Sequence, residues 1–232
     1  MTDITLSPET VAVLKNFSTI NQSIKVEPGS ILRTMSNFNV IMGKATVKET
    51  FEHNWVIYDL PRFISTFEVY DKPSFDFGEH IVTISEQGSN AINNTSYRYG
   101  EASIVHSTTK DIDIEEFELE FTLKEEDLSK LLKFASVLQV PHMIVEPSQK
   151  DAKKITVSVL DLDNAFTNIN SIDIDAEGVD GRAFKFVYKV CNILVIPQDY
   201  NIKVSNKLIS NWINNDGNIE YWVALETSSQ KP

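Results

Sequence analysis

Residues 6–22, "LSPETVAVLKNFSTINQ", and residues 123–139, "LKEEDLSKLLKFASVLQ", are versions of one segment set 117 positions apart, close to half of a 232-residue chain. Leu6, Glu9, Leu14, Phe17 and Gln22 recur as Leu123, Glu126, Leu131, Phe134 and Gln139. A few residues later "IKVEP" (24–28) is echoed by "IVEP" (144–147), so each copy reads as a helix entering a strand and then a turn. A second echo follows in the same order: "WVIYDLPRFI" (55–64) and "KFVYKVCNIL" (185–194), each a short β-rich run feeding a short helix. Two ordered echoes point to a duplicated domain. That restricts the chain to folds made of two similar halves.

The rest reads as strands. "SILRTMS", "IMGKATVKETFE", "DFGEHIVTIS", "SYRYGEASIVH", "KKITVSVLDL", "AFKFVYKV", "NIKVSNKLI" and "EYWVALET" are short, rich in β-branched and aromatic residues, and often alternating. "EPGS", "EQGSNAINN" and "NNDGN" supply turn chemistry between them. Each half therefore reads as helix, strands, helix, strands: an α+β fold with antiparallel pairing across short connections. The predicted boundary lies within Ser107–Glu116, giving domains at 1–110 and 117–232 with a linker at 111–116.

Charge narrows the functional classes. A formal net charge of −12 argues against a general basic surface for nucleic acid, although a local basic patch is compatible with it. The acids are clumped in "DIDIEEFELE" (111–120) and "SIDIDAEGVDG" (171–181). On the second helix Leu128, Leu131, Leu132, Ala135 and Leu138 share one arc at 100° per residue, with Lys130 and Lys133 nearly opposite. Glu125, Glu126 and Asp127 fill its first turn, where carboxylates complement the helix dipole. In the first helix Val11, Leu14 and Phe17 form the apolar arc and Lys15 lies on the polar side. The two short helices contribute Arg62 and Lys189, which puts a base on each of four predicted helices. Lysines opposite an apolar stripe are ordinarily just a solvated face, so this pattern alone assigns no partner.

No catalytic motif stands out. "DIDAEG" (173–178) imitates the start of a calcium loop, but Phe184 occupies the twelfth position and no flanking helix pair is evident. His53, His80, His106 and His142 are scattered without metal-ligand spacing, and no cofactor is expected. There is no glycine-rich phosphate loop and no nucleophile elbow. Cys191, the single cysteine, excludes an internal disulfide and reads as a buried structural thiol in a reducing compartment. "MTDITLSPET" lacks the basic and apolar regions of a secretory leader, and no run approaches the length of a membrane span, so no membrane partner is expected.

"ETVAVLKNFSTINQSI", "YDLPRFIS", "KEEDLSKLLKFASVLQV" and "YWVALE" occur in the order and approximate spacing of a known family: from Leu6 to Glu226 the chain resembles the sliding clamps of T-even-type bacteriophages. Stretches 72–116 and 203–218 match that family poorly. The resemblance implies a DNA-clamp fold, with two clamp-type domains per subunit, antiparallel sheets outside and two helices per domain inside. Three subunits would close head to tail around duplex DNA. It implies a protein without chemistry of its own. Such a protein tethers the replicative DNA polymerase, is loaded by an ATP-dependent clamp loader and assists late transcription with viral factors and RNA polymerase, in the cytoplasm of the infected bacterial host. On this reading Lys15, Arg62, Lys124, Lys130, Lys133 and Lys189 face DNA. Ile112, Ile114 and Phe117 near the linker, with Val223 and Leu225 at the C-terminus, receive a partner's apolar tail. The rival reading is a duplicated α+β virion or scaffold protein that assembles through sheet edges without touching DNA. It needs no bases on all four helices.

Overall fold

The structure, a computed structural model, describes residues 4–87, 93–108, 110–164, 166–179 and 181–230. Most of the turn expected at 86–94 falls outside them. The chain divides into two compact units, Met1–Phe38 with Met42–Asp111, and Ile112–Pro232 with Asn39–Ile41.

The first unit begins with helix α1 (Pro8–Ile20), started by Ser7, whose hydroxyl accepts from the Thr10 N–H, and by Pro8 in the first turn. Strands β1 (Ile24–Val26), β2 (Gly29–Met35), β3 (Ile41–Phe51) and β4 (Trp55–Ile57) follow, then α2 (Leu60–Phe67) and β5 (Pro73–Phe77), β6 (Ile81–Glu86) and β7 (Asn94–Arg98). β1 pairs antiparallel with β4, β2 with β3, and β5–β6–β7 form a three-stranded antiparallel sheet. The run "DFGEHIVTIS", expected as one strand, turns at Gly78, whose N–H donates to the Ile81 carbonyl. Aromatic rings fill this core. Phe51 meets Trp55 and Phe77 edge-on at 5.3 Å, and Phe67 meets Phe63 and Phe75 at 5.5 and 5.3 Å.

The second unit runs β8 (Leu119–Leu123), α3 (Glu125–Leu138), β9 (His142–Pro147), β10 (Lys154–Leu160), β11 (Asn170–Glu177), β12 (Phe186–Lys189), β13 (Tyr200–Ser205), β14 (Ile209–Asn214) and β15 (Ile219–Ala224). Its strands pair antiparallel in the order β12–β9–β10–β11–β8–β13–β14–β15. β11 joins β8 only through Ala176 and Glu177, so the ladder is nearly open there. Leu128, Leu131 and Ala135 bury α3 on β10 and β11. The pair of echoes is a pair of equivalent ladders: the strand after the long helix pairs with the strand of the second echo, β1 with β4 and β9 with β12.

Three sequence expectations change. The fourth helix is a three-residue 3-10 turn, Val190–Asn192, so the second unit has one α-helix where two were expected. Lys189 ends β12 just before it. The buried face of α1 is Thr10, Val13, Leu14, Phe17 and Ile20, and Val11 is only half-buried. Cys191 is exposed.

Candidate nucleic-acid interface

The burial of the two long helices defines their true correspondence. Thr10, Val13 and Phe17 are buried, and so are Leu128, Leu131 and Ala135, residues 118 positions on. α3 has 14 residues against 13 in α1. The extra residue lies within the first turn, because the residues before both helices, Leu6 and Leu123, remain 117 apart and buried while Thr10 and Leu128 are already 118 apart. At the corrected spacing Lys15 matches Lys133, whereas the letter-by-letter alignment pairs Lys15 with Leu132 and Lys133 with Asn16. Phe17 then matches Ala135, and Phe134, its apparent twin, lies about 100° round the helix from the buried face with 43% of its surface exposed. Val137, one turn on, is 70% exposed, and with Lys130 and Lys133 these two side chains line a shallow groove.

Each expected base is on the surface, and most have a carboxylate beside them. Lys15 on α1 is ion-paired with Glu68, the residue that caps the C-terminus of α2. Arg62 in the first turn of α2 pairs at 3.1 Å with Asp59, the N-cap of the same helix. Lys130 pairs with Glu126 one turn before it at 3.4 Å. Lys189 pairs with Glu226 at 3.1 Å. Lys124, at the N-cap of α3, and Lys133 have no ion-pair partner among the described residues. Exposed pairs of this kind are worth ~0–1 kcal/mol each, so they orient side chains more than they hold the fold.

The helix N-termini are filled in the same way. Glu49 on β3 accepts from the Ser7 backbone N–H and the Thr10 hydroxyl at the start of α1. Burial raises the affinity of Glu49 for a proton, but these hydrogen bonds outweigh it and hold the carboxyl below the ordinary glutamate range. Asp59 accepts the Arg62 N–H at 3.0 Å, and Asp199 accepts the Glu125 N–H at 2.8 Å. Asp59 stands next to its helix in the chain, whereas Glu49 and Asp199 reach theirs across 42 and 74 positions, where no local signal marks them.

The linker residues divide. Ile112 and Phe117 are each 38% exposed, Ile114 is half-buried, and the Lys203 ammonium stands 5.8 Å from the Phe117 ring centre. Val223, on β15, and Leu225, just after it, are buried in the second unit. Asp111, where the linker starts, accepts from Lys44 at 2.6 Å and from Arg33 at 3.2 and 3.3 Å.

Among the described residues no group of three or more His, Cys, Asp or Glu side chains is placed to hold a metal ion. Asp173 and Asp175, read as the start of an ion loop, lie on β11 beside Lys150 and Lys154 at 3.2 and 3.6 Å. No described helix is long and apolar enough to cross a membrane.

Residues 120–227 match the family described as gp45 sliding clamp, C terminal. Over 224 residues the chain is 27% identical to the sliding clamp of Vibrio phage KVP40, covering 95% of this chain and 98% of that protein. The sliding clamp of Enterobacteria phage T4 is 25% identical over 232 residues, covering 97% of each. Among solved structures, a PCNA2–PCNA3 complex from Sulfolobus tokodaii superposes with a TM-score of 0.69 at 10% identity, covering 97% of this chain and 98% of that one. Proliferating cellular nuclear antigen from Entamoeba histolytica gives 0.67, covering 93% and 94%. At that identity the likeness fixes the fold alone, and the fold is the α+β DNA clamp. The two ordered echoes and the matches along nearly the full length agree: the chain is similar throughout to the sliding clamps of T4-type phages.

Proposed function

We propose that this chain is the subunit of a homotrimeric ring that encircles duplex DNA and tethers a phage replicative DNA polymerase. The observation that carries this reading is the near full-length match to phage sliding clamps in a chain with the clamp fold. In this proposal residues 1–110 and 117–232 are the two clamp domains and 111–116 the linker. Lys15, Arg62, Lys124, Lys130, Lys133 and Lys189 face the phosphates. Contact with phosphate is sequence-independent, which suits a ring that must move along any sequence.

The ring closes head to tail through strand edges. β7 ends its sheet, and residues 170–175 of β11 have no partner strand on the side facing β8, among the described residues. An open edge is a template for another strand, and two different edges on one chain make a heterologous contact that can close into a ring. Exposed Ile112 and Phe117, with Ile114, receive the apolar tail of the polymerase. An ATP-dependent clamp loader opens the ring in the cytoplasm of the infected bacterium, and the loaded ring also assists late viral transcription.

Light scattering on the purified chain, with negative-stain images of the same sample, tests the assembly. A particle of three subunits with a central hole is expected. A monomer that stays monomeric at tens of micromolar and yields no ring images would sink the proposal.

A further inference from the structure

The devices by which a protein surface grips phosphate are three: free cations, free hydroxyl donors, and helix N-termini with unsatisfied N–H groups. On the helices assigned to the DNA side, most of them are already engaged on α1 and α2 and fewer on α3, where the described hydrogen bonds leave the exposed Ser129 and Ser136 hydroxyls unused. Lys15, Arg62, Lys130 and Lys189 each have a carboxylate within ion-pair distance, namely Glu68, Asp59, Glu126 and Glu226. The hydroxyls of Ser18 and Thr19 on α1 donate to the Lys15 and Asn16 carbonyls, both at 2.7 Å. Those of Ser65 and Thr66 on α2 donate to the Pro61 and Arg62 carbonyls at 3.0 and 2.7 Å. The starts of α1, α2 and α3 are occupied by Glu49, Asp59 and Asp199.

We propose that Asp59, Glu68, Glu126 and Glu226 are positioning residues that hold the DNA-facing cations back from the phosphates, so that the surface attracts the duplex without gripping it. This rests on the reading of those cations as DNA-facing. A cation already balanced by a carboxylate releases fewer counterions when a phosphate approaches, and the phosphate must compete with the carboxylate for it. Lys133, which has no such partner among the described residues, and Lys15, which has, stand at equivalent positions of the two long helices, so the chain contains its own comparison. The two kinds of cation divide the work: Lys124 and Lys133 attract, and the four countercharged bases keep the field continuous without a fixed contact.

The test is a titration of the full chain against a linear 30-base-pair fluorescent duplex across a salt series. The variants are Asp59→Asn with Glu68→Gln, and Glu126→Gln with Glu226→Gln. Asparagine is as good an N-cap as aspartate, so α2 keeps its start, and a thermal melt checks each variant's fold. Glu79→Gln with Glu101→Gln, two exposed carboxylates in no ion pair among the described residues, removes the same two charges and controls for net charge alone. Each amide pair is expected to bind the duplex several-fold more tightly than the parent and the control. Its plot of log affinity against log salt steepens by up to roughly two units, about one for each freed cation. Lys15→Gln, nearly silent in the parent, becomes as costly as Lys133→Gln once Glu68 is an amide. Amide variants that bind as the doubly substituted Glu79→Gln, Glu101→Gln control does, or more weakly with the fold intact, overturn the inference while a loss on Lys133→Gln preserves the DNA-facing reading. Loss of neither kind, with Lys124→Gln and Lys133→Gln also silent, overturns both.

Discussion

Lys15 and Lys133 occupy the same position in two copies of one helix, yet Lys15 is bound to Glu68 while Lys133 has no ion-pair partner among the described residues. The difference has a structural origin. In the first unit a second helix, α2, packs beside α1 and ends on Glu68. In the second unit the corresponding segment is the turn Val190–Asn192, and among the described residues no carboxylate is ion-paired with Lys133. Two equivalent lysines are unequal because one unit has a short helix where the other has a turn.

Reversing the charge of the second helix tests its assigned role. Lys130→Glu with Lys133→Glu changes two exposed side chains on the face of α3 turned away from its sheet. The carboxylate introduced at position 130 would stand one turn from that of Glu126, and such like-charge pairs cost a few tenths of a kcal/mol. Thermal stability is therefore expected to change by roughly 1 kcal/mol or less, whereas polymerase products made with clamp loader present should shorten. Products of unchanged length would remove these lysines from the DNA face.

The duplication was legible in the sequence because apolar helix positions and the ends of the segment are preserved together: Leu6 with Leu123, Leu14 with Leu131, Gln22 with Gln139. The register inside it was not. Phe17 and Phe134 are the most conspicuous matching letters, and they mislead, because one inserted residue within the first turn rotates α3 by about 100° relative to the simple alignment. β11 carries the period-two alternation of "SIDIDAE", but its outward positions include aspartates, which have low strand propensity. Lys189 falls on a strand end: "KFVYKVCNIL" echoes a segment that contains a helix without forming one itself. The carboxylates that cap α1 and α3 come from distant strands and loops, and nothing local announces them.

The rotated register gives a stability prediction with opposite outcomes at twin letters. Phe17 is fully buried, and Phe17→Ala should cost about 3–5 kcal/mol through lost burial and the cavity left behind. Phe134 is half-exposed, and Phe134→Ala should cost about 1 kcal/mol or less in the isolated chain. Denaturant melts of the two variants decide it. Equal losses would mean that the letter-by-letter alignment describes the packing after all.

Gly178 has a backbone role. Its φ is +86°, and a Cβ there would run into the Glu118 carbonyl oxygen. Around it the Arg182 guanidinium donates to the Gly178 and Glu118 carbonyls and, at 2.8 Å, to the Glu118 carboxylate, which also accepts from Asn206. Gly178→Ala should therefore cost about 2 kcal/mol or more, from the left-handed backbone and the displaced Glu118 together. Gly217→Ala, also at positive φ but with nothing near its Cβ, should cost only the backbone part, about 1 kcal/mol. Chemical denaturation of both variants separates the two contributions.

Asp111 gives the chain a pH-dependent hold on its linker. Partial burial pushes its pKa up, but hydrogen bonds from Lys44 and Arg33 and their charges outweigh that and hold the carboxyl below the ordinary aspartate range. A group whose pKa is depressed by folding stabilises the folded chain fully above its unfolded value, near 4, and loses that contribution as pH falls through the lower folded value. The side chain is nearly half exposed, so solvent screening limits the effect to ~1 kcal/mol or less. Melting temperature should therefore fall less steeply below pH 4 in Asp111→Asn than in the parent, while near pH 7 the variant is slightly less stable. Parallel melting curves over that range would show that the Arg33 and Lys44 contacts do not anchor the linker in solution.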